Sequence, residues 1–379
     1  MAHWTDAHTW KENWNEEAAI DPGAQAAAKR VTNKVSGQPA FMKILNSQSD
    51  DERRSRFFRE ASAYAALQHA NIPRLIESNA HRHDDLSFKV YLVTELIVGP
   101  TLTAFIGRQR TTLEQAITLT LRLLDVAAHF HRHDWVHRDI KPDNIIMRGD
   151  DFADPVLVDF GVSYKDAITT GFETELAQEL GNRFFRLPEL GVNSPVKHDS
   201  RTDLTFIAGV MFFCLTCKAP YQPLDGEHKM PHQHTAELSL LREAAPSVIY
   251  SLLAFFDRAF DHRLTSRFAT TEEMAAQLNA LRDALKNGDA VSEPNDLESL
   301  RQRENSAASA RFSQLKVVYT TGMGVISAVH ARYWNRLPRA MRATCRTTSI
   351  SRRACRPTSD FTISRASTID SRRTSPSCL

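Results

Sequence analysis

The sequence predicts an α+β chain: a small strand-rich lobe, then a larger helical lobe, then a tail that builds no core. Three observations predict it. Short β-branched and aromatic runs, Ala40–Leu45 and Val90–Glu95, fall early in the chain. From residue 113 to residue 131 apolar residues recur at helical spacing instead, and further helical stretches fit 204–216, 248–260 and 271–286. After Lys286 the composition turns polar and then basic.

Taken in order, residues 1–20 are rich in Trp and charge and lead into the first strand. Residues 21–45 read as strand, turn and strand, with Ser36-Gly37 as the turn signal. The second of these strands, Ala40-Phe41-Met42-Lys43-Ile44-Leu45, is apolar except for one lysine. Residues 51–67 are rich in Glu, Arg, Phe and Ala and read as a helix, with Glu60 in its middle. Val90–Glu95 reads as a buried strand, and Leu96–Gly99 as a hinge. Ile117, Leu121, Leu124 and Ala128 mark a helix over 113–131. Pro155–Val158 is a short apolar strand. Asp203 opens a buried helical run, 204–216, and further helices fit 248–260 and 271–286. No internal repeat is visible.

The bulk properties are those of a soluble globular protein: 379 residues, 42% apolar and 24% charged. On length alone the chain has room for two to three domains. Its net charge is +2, but residues 332–379 hold eleven Arg, no Lys and two Asp, a local charge of +9 that leaves −7 on the remainder. The first residues lack the basic and apolar regions of a signal peptide. No apolar run reaches the ~18–20 residues that span a bilayer. Three of five cysteines lie in the basic tail, so no disulfide framework is expected, and a reducing cytoplasm is. Cys214 and Cys217 are expected to be packed thiols. His129, His131 and His133 are expected at a helix end and turn rather than around a metal.

Residues 137–144 carry the chemistry: His-Arg-Asp-Ile-Lys-Pro-Asp-Asn. Asp159-Phe160-Gly161 follows twenty residues after Asp139, and Leu187-Pro188-Glu189 follows that. Arg267 lies far downstream, while Lys43 and Glu60 lie upstream. In order and spacing these residues resemble the catalytic domain of the bacterial eukaryotic-like Ser/Thr protein kinase family, over roughly residues 15–285. The resemblance implies a two-lobed protein-kinase fold with a β-rich small lobe at about 15–96, a hinge at 95–99 and a helical large lobe at about 100–285. Residues 286–330 are then a linker with room for short helices, and 331–379 an Arg/Ser/Thr-rich tail expected to be disordered.

It also implies ATP and magnesium as cofactors. Asp139 would receive the proton of the attacking hydroxyl, and Lys141 would meet the transferred phosphoryl group. Lys43, paired with Glu60, would position the phosphates. Asn144 and Asp159 would hold magnesium. Thr94, Glu95 and Ile97 would border the nucleotide, and Gly23 would stand in the phosphate-binding loop. Arg138 would meet a phosphorylated residue of the 159–189 segment, where Thr169 and Thr170 are the preferred sites among Ser163, Tyr164 and Thr174. Glu189 would pair with Arg267.

The chain departs from the family at two places. Asp21 and Ala26 stand where the loop has its first and third glycines, and Gly181-Asn182 replaces Gly-Thr. Three readings therefore stay open: a protein Ser/Thr kinase that phosphorylates its own activation segment, a pseudokinase-like binding scaffold, and a small-molecule kinase. The protein substrate is unnamed. The Arg-rich tail fits an acidic partner, nucleic acid or an anionic surface, or no partner.

Overall fold

Strand pairing starts earlier than the sequence suggests, because Trp14–Pro22 is already a strand. The computed structural model describes residues 3–22, 26–107, 111–165, 184–191, 194 and 196–287. Within these, β1 (His3–Trp4), β2 (Trp14–Pro22), β3 (Ala26–Asn33), β4 (Pro39–Leu45), β5 (Leu75–Ser78) and β6 (Tyr91–Glu95) form one sheet in the order β1-β5-β6-β4-β3-β2. β1 runs parallel to β5, and the other neighbours are antiparallel. Charge hides β2 in the sequence. It is the sheet edge, where Glu16 and Glu17 stay in solvent and pair across to Lys29 and Arg30. The turn between β3 and β4 is where Ser36-Gly37 predicts it. Asn33 Oδ1 accepts from the N–H groups of Val35 and Ser36, at 3.0 and 2.9 Å, and Gly37 takes φ 71°.

Alternation along β4 sorts its side chains. Ala40, Met42 and Ile44 join Trp14, Val31, Tyr91 and Val93 in one buried cluster. Lys43 therefore points to the other face, toward helix α1 (Asp51–Ala66). Asp50 caps α1 by accepting from Arg53 N at 3.0 Å, and acidic Asp51 and Glu52 occupy its first turn.

The helical lobe contains α2 (Leu102–Ile106), α3 (Leu113–Arg132), a hairpin of β7 (Ile145–Met147) and β8 (Pro155–Leu157), α4 (Arg201–Thr216), α5 (Thr235–Ala244), α6 (Ile249–Ala259) and α7 (Thr271–Asn287). Thr112 and Gln115 cap α3 reciprocally, at 3.2 and 2.9 Å. The predicted helices over 113–131, 204–216, 248–260 and 271–286 correspond to α3, α4, α6 and α7. α2 and α5 lack an apolar period long enough to read. α4 is buried on nearly all sides, and the rings of Phe212, Phe256 and Phe260 pack edge-to-face or stacked around it. Gly99, just after β6, can only be glycine, since a Cβ there would lie 2.2 Å from the Met147 carbonyl oxygen. Most of the expected linker, 288–330, and the whole tail lie outside the described residues. Among the described residues no helix is long and apolar enough to cross a membrane.

Glu189 and Arg267 meet as the sequence predicts. The guanidinium donates to both carboxylate oxygens, at 2.5 and 3.3 Å, to Thr205 Oγ1 at 3.1 Å and to the Asp261 carbonyl at 2.6 Å. Both side chains are almost fully buried. Removing one partner of such a pair leaves a charge without compensation. Arg267→Met is expected to destabilise the fold by about 3–5 kcal/mol, measured by denaturant unfolding. A loss below about 1 kcal/mol would mean that the ion pair is not what anchors residues 187–191.

Candidate active site

The site begins with one ammonium group. Lys43 Nζ donates to Glu60 Oε1 and Oε2, at 2.8 and 2.9 Å, and to Asp159 Oδ1 at 3.0 Å. Strand β4, helix α1 and the loop after β8 thus converge on one atom. Burial works against the charge on Lys43, but the Asp159 and Glu60 carboxylates outweigh it and hold the amine well above its usual range. In return the Lys43 charge, against the effect of burial, holds the Asp159 carboxyl down to about 2. Glu52, the other acidic candidate on α1, is taken by Arg56 one turn on.

The segment 137–144 is held from below. The buried Asp203 carboxylate at the start of α4 accepts from His137 N and Arg138 N, at 2.9 and 2.8 Å, and contacts His131 Nε2 at 2.9 Å. Arg138 takes φ 68°, a left-handed value that costs energy for a non-glycine residue. The two bonds to Asp203 hold it there. The turn then presents Asp139, whose Oδ2 accepts from Lys141 Nζ at 2.7 Å and from Asn144 Nδ2 at 3.0 Å. Asn144 Nδ2 also donates to the Asp139 carbonyl at 2.8 Å, which closes the turn. Burial pushes the Asp139 carboxyl up, and Lys141 opposes it only in part.

Asp159 is likewise left-handed, at φ 64°. Its N–H donates to the Tyr64 hydroxyl at 2.9 Å, and Gly161 N donates back to Asp159 Oδ1 at 3.2 Å. Phe160 is fully buried between Tyr64 and His137, with ring centroids 5.3 and 4.5 Å away. Tyr64 lies one helical turn after Glu60, so α1 supplies both the carboxylate for Lys43 and the hydroxyl for Asp159. The sequence reading missed Tyr64, and it assigned Asp203 no part beyond opening a helix. The i, i+4 spacing from Glu60 is the signal that could have found Tyr64.

These groups border a cavity of about 400 Å³. Ala28, Phe41 and Leu92 supply apolar lining from the sheet, and Ile146 and Val158 supply it from the helical lobe. Thr94, Glu95 and Ile97 line it too, with Lys43, Glu60, Asn144 and Asp159 at its polar end. An apolar slot that ends in charge suits a flat base joined to phosphates. Asn144 donates through its nitrogen to Asp139, so its carbonyl oxygen is left for a cation, beside a carboxylate of depressed pKa. Two such oxygens fit a hard ion such as magnesium. Asp139 and Lys141 adjoin this end through Asn144. Gly23 lies outside the described residues, as do Thr169, Thr170, Thr174 and Asn182. Ser163 is buried. Arg138 is buried too and donates to the Val162 carbonyl at 2.8 Å through Nε, with its guanidinium over the Tyr164 ring. Cys214 is buried in α4 as expected, but Cys217, at the helix end, is exposed rather than packed.

A family model described as protein kinase domain matches residues 14–278, more than half of the chain. The chain is 31% identical over 231 residues to serine/threonine-protein kinase C of Synechocystis, covering 59% of this chain and 40% of that protein. It is 32% identical over 229 residues to serine/threonine-protein kinase PknA of Nostoc, covering 59% and 38%. It thus spans about two-fifths of the length of these curated relatives. The solved kinase domain of Mycobacterium tuberculosis PknI superposes with a TM-score of 0.53 at 19% identity, over 72% of this chain and 96% of that one. The titin kinase structure with its flanking domains gives 0.55 at 17% identity, over 75% and 50%. These two likenesses concern the fold alone.

Tyr64→Phe keeps the ring against Phe160 but leaves the Asp159 N–H without its acceptor. The expected loss is about 1 kcal/mol of stability, whereas Tyr64→Ala should cost about 3–5 kcal/mol through the cavity it leaves. Unfolding curves for the two variants separate these. No loss in Tyr64→Phe would show that the hydroxyl contributes nothing.

Proposed function

The chain belongs to the protein kinase family, and on that premise we propose that it transfers the ATP γ-phosphate to serine or threonine hydroxyls of proteins. The observation that carries this is the single Lys43 ammonium bonded to both Glu60 and Asp159 at the polar end of the cavity. Phosphoryl transfer asks a protein mainly for positioning and charge neutralisation. Lys43, fixed by Glu60, would orient the phosphates. Asn144 and Asp159 would hold magnesium, which when bound neutralises phosphate charge. Asp139 would accept the hydroxyl proton, and its raised pKa suits a proton acceptor. Lys141, 2.7 Å from Asp139, would meet the transferred group. Thr94, Glu95 and Ile97 would border the base, and Gly23 would lie in the phosphate loop.

The Lys141-Pro142-Asp143 sequence after Asp139 favours Ser/Thr acceptors over Tyr. Autophosphorylation at Thr169 or Thr170, answered by Arg138, belongs to the same proposal. So do a catalytic domain over 15–285, a cytoplasmic setting, a protein substrate of unstated identity and an acidic partner for the arginine-rich tail. One observation favours a second reading, a binding scaffold with weak catalysis: Asp21 and Ala26 replace two of the three loop glycines that let backbone amides approach phosphate.

The deciding experiment is incubation of the purified chain with labelled ATP, with and without magnesium, followed by phosphosite mapping. Label should enter the chain or a generic protein acceptor only with magnesium. No magnesium-nucleotide binding at millimolar concentration would remove the enzyme reading and leave the scaffold. Asp139→Asn is isosteric and should lower turnover by about 10²–10⁴ with no change in melting temperature. Near wild-type turnover in that variant would overturn the role given to Asp139. A chain ending at residue 290 should keep its activity, since every residue assigned a catalytic role precedes that point.

A further inference from the structure

Helix α1 carries Glu60 and Tyr64, and its opposite side is gripped by contacts that serve no catalytic step. Arg54, fully buried, sends its guanidinium into a ring of backbone carbonyls. It donates to Gln48 and Phe88 at 3.0 Å, to Arg82 at 3.0 Å and to Asp85 at 2.6 Å, and its Nε reaches His83. A fixed fork with five N–H donors is suited to hold a loop by its carbonyls. One turn further along α1, Phe58 stacks on His83 at 4.7 Å.

The same loop, 79–88, is held on its other side by the N-terminal segment. β1 pairs with β5, and Thr5 N donates to the Ser78 carbonyl at 3.0 Å. Asp6 accepts from Arg82 at 2.7 and 2.9 Å. Asn79, buried, donates to the Ala7 carbonyl at 3.0 Å, and His8 stacks on Phe88 at 4.2 Å. Trp4 touches both parts, with ring centroids 6.0 Å from Phe58 and 5.4 Å from His81.

We propose that residues 3–8 and the 79–88 loop form a built-in clamp on α1, in which Arg54 and Trp4 are positioning residues that keep Glu60 on Lys43. A helix moves as a rigid rod. Any rotation or outward swing that takes Glu60 from Lys43 must also pull Arg54 out of its carbonyl ring and Phe58 from Trp4 and His83. The clamp therefore makes the Glu60-engaged position the favoured state of α1 before nucleotide or phosphorylation acts. Its effect on turnover rests on the kinase reading, while its effect on α1 does not.

The test uses the full chain. Trp4 and Asp6 are partly exposed, so the double variant Trp4→Ala, Asp6→Ala should fold, with Trp4→Phe as the conservative control. Arg54→Met and Arg54→Lys probe the buried end. Amide hydrogen exchange without nucleotide should quicken about tenfold in residues 54–66 of the double variant and stay unchanged in α3 and α4. If the engaged population falls to about a tenth, kcat should fall about tenfold, with the ATP KM within about twofold, while Trp4→Phe keeps wild-type exchange and kcat. Unchanged exchange in 54–66, or faster exchange with unchanged kcat, would overturn the clamp. If Arg54→Met does not fold, the double variant decides. If the wild-type chain transfers no phosphate, the kinase reading fails and the exchange measurement alone decides the clamp.

Discussion

Everything at this site depends on keeping one ammonium charged in a place that disfavours charge. Lys43 Nζ lies within hydrogen-bond distance of both oxygens of Glu60 and one of Asp159. An ion pair of this kind is a poor source of stability, because the desolvation of its members offsets much of their attraction. What it provides is geometry. It ties a strand, a helix and the loop after β8 to one point, so the relative position of these elements is set where an anionic ligand would bind. A phosphate entering the cavity would find a cation already oriented and a neighbouring carboxylate already ionised. That arrangement needs little reorganisation at the moment of reaction.

Two strained residues flank this point, and each is held in the same way. Arg138 and Asp159 both occupy the left-handed region without being glycine. Each has its N–H taken by an acceptor from a helix: Asp203 for the first, Tyr64 for the second. Strain of this sort persists only where the surroundings over-determine it. The helices α4 and α1 thus act as templates on which the two loops are bent. Phe160, packed between Tyr64 and His137, links the two loops through one buried ring.

The grip on the far side of α1 fits the same logic. A helix that supplies both a carboxylate for Lys43 and a hydroxyl for Asp159 has little tolerance for rotation, and Arg54 with the N-terminal segment limits it. These contacts, polar through Arg54 and aromatic through Phe58 and Trp4, add to the apolar face by which Phe57, Ala61 and Ala63 join the core. Glu189 and Arg267 do the corresponding work in the helical lobe, where a buried pair fixes the 187–191 turn against α4.

The sequence by itself determined the family resemblance and, through it, which residues are expected to carry the chemistry. Lys43, Glu60, Asp139, Asn144 and Asp159 were legible because their order and spacing match that family's motifs, and Lys43, Glu60, Asn144 and Asp159 line one cavity. The partnership of Glu189 with Arg267 was legible on the same basis. α3 was legible because its apolar residues repeat at helical spacing, α1 because of its composition, and α4 because its apolar run is buried on nearly all sides. β2 was not, because an edge strand keeps its charges in water and loses the alternation. α2 and α5 were too short to show a period. Tertiary structure alone decided what holds the site: Tyr64 under Asp159, Asp203 under Arg138, Arg54 among carbonyls. Those partners are backbone groups or residues tens of positions away, and a backbone N–H or carbonyl leaves no trace in the amino-acid code. Only the folded chain can show which buried side chain satisfies it.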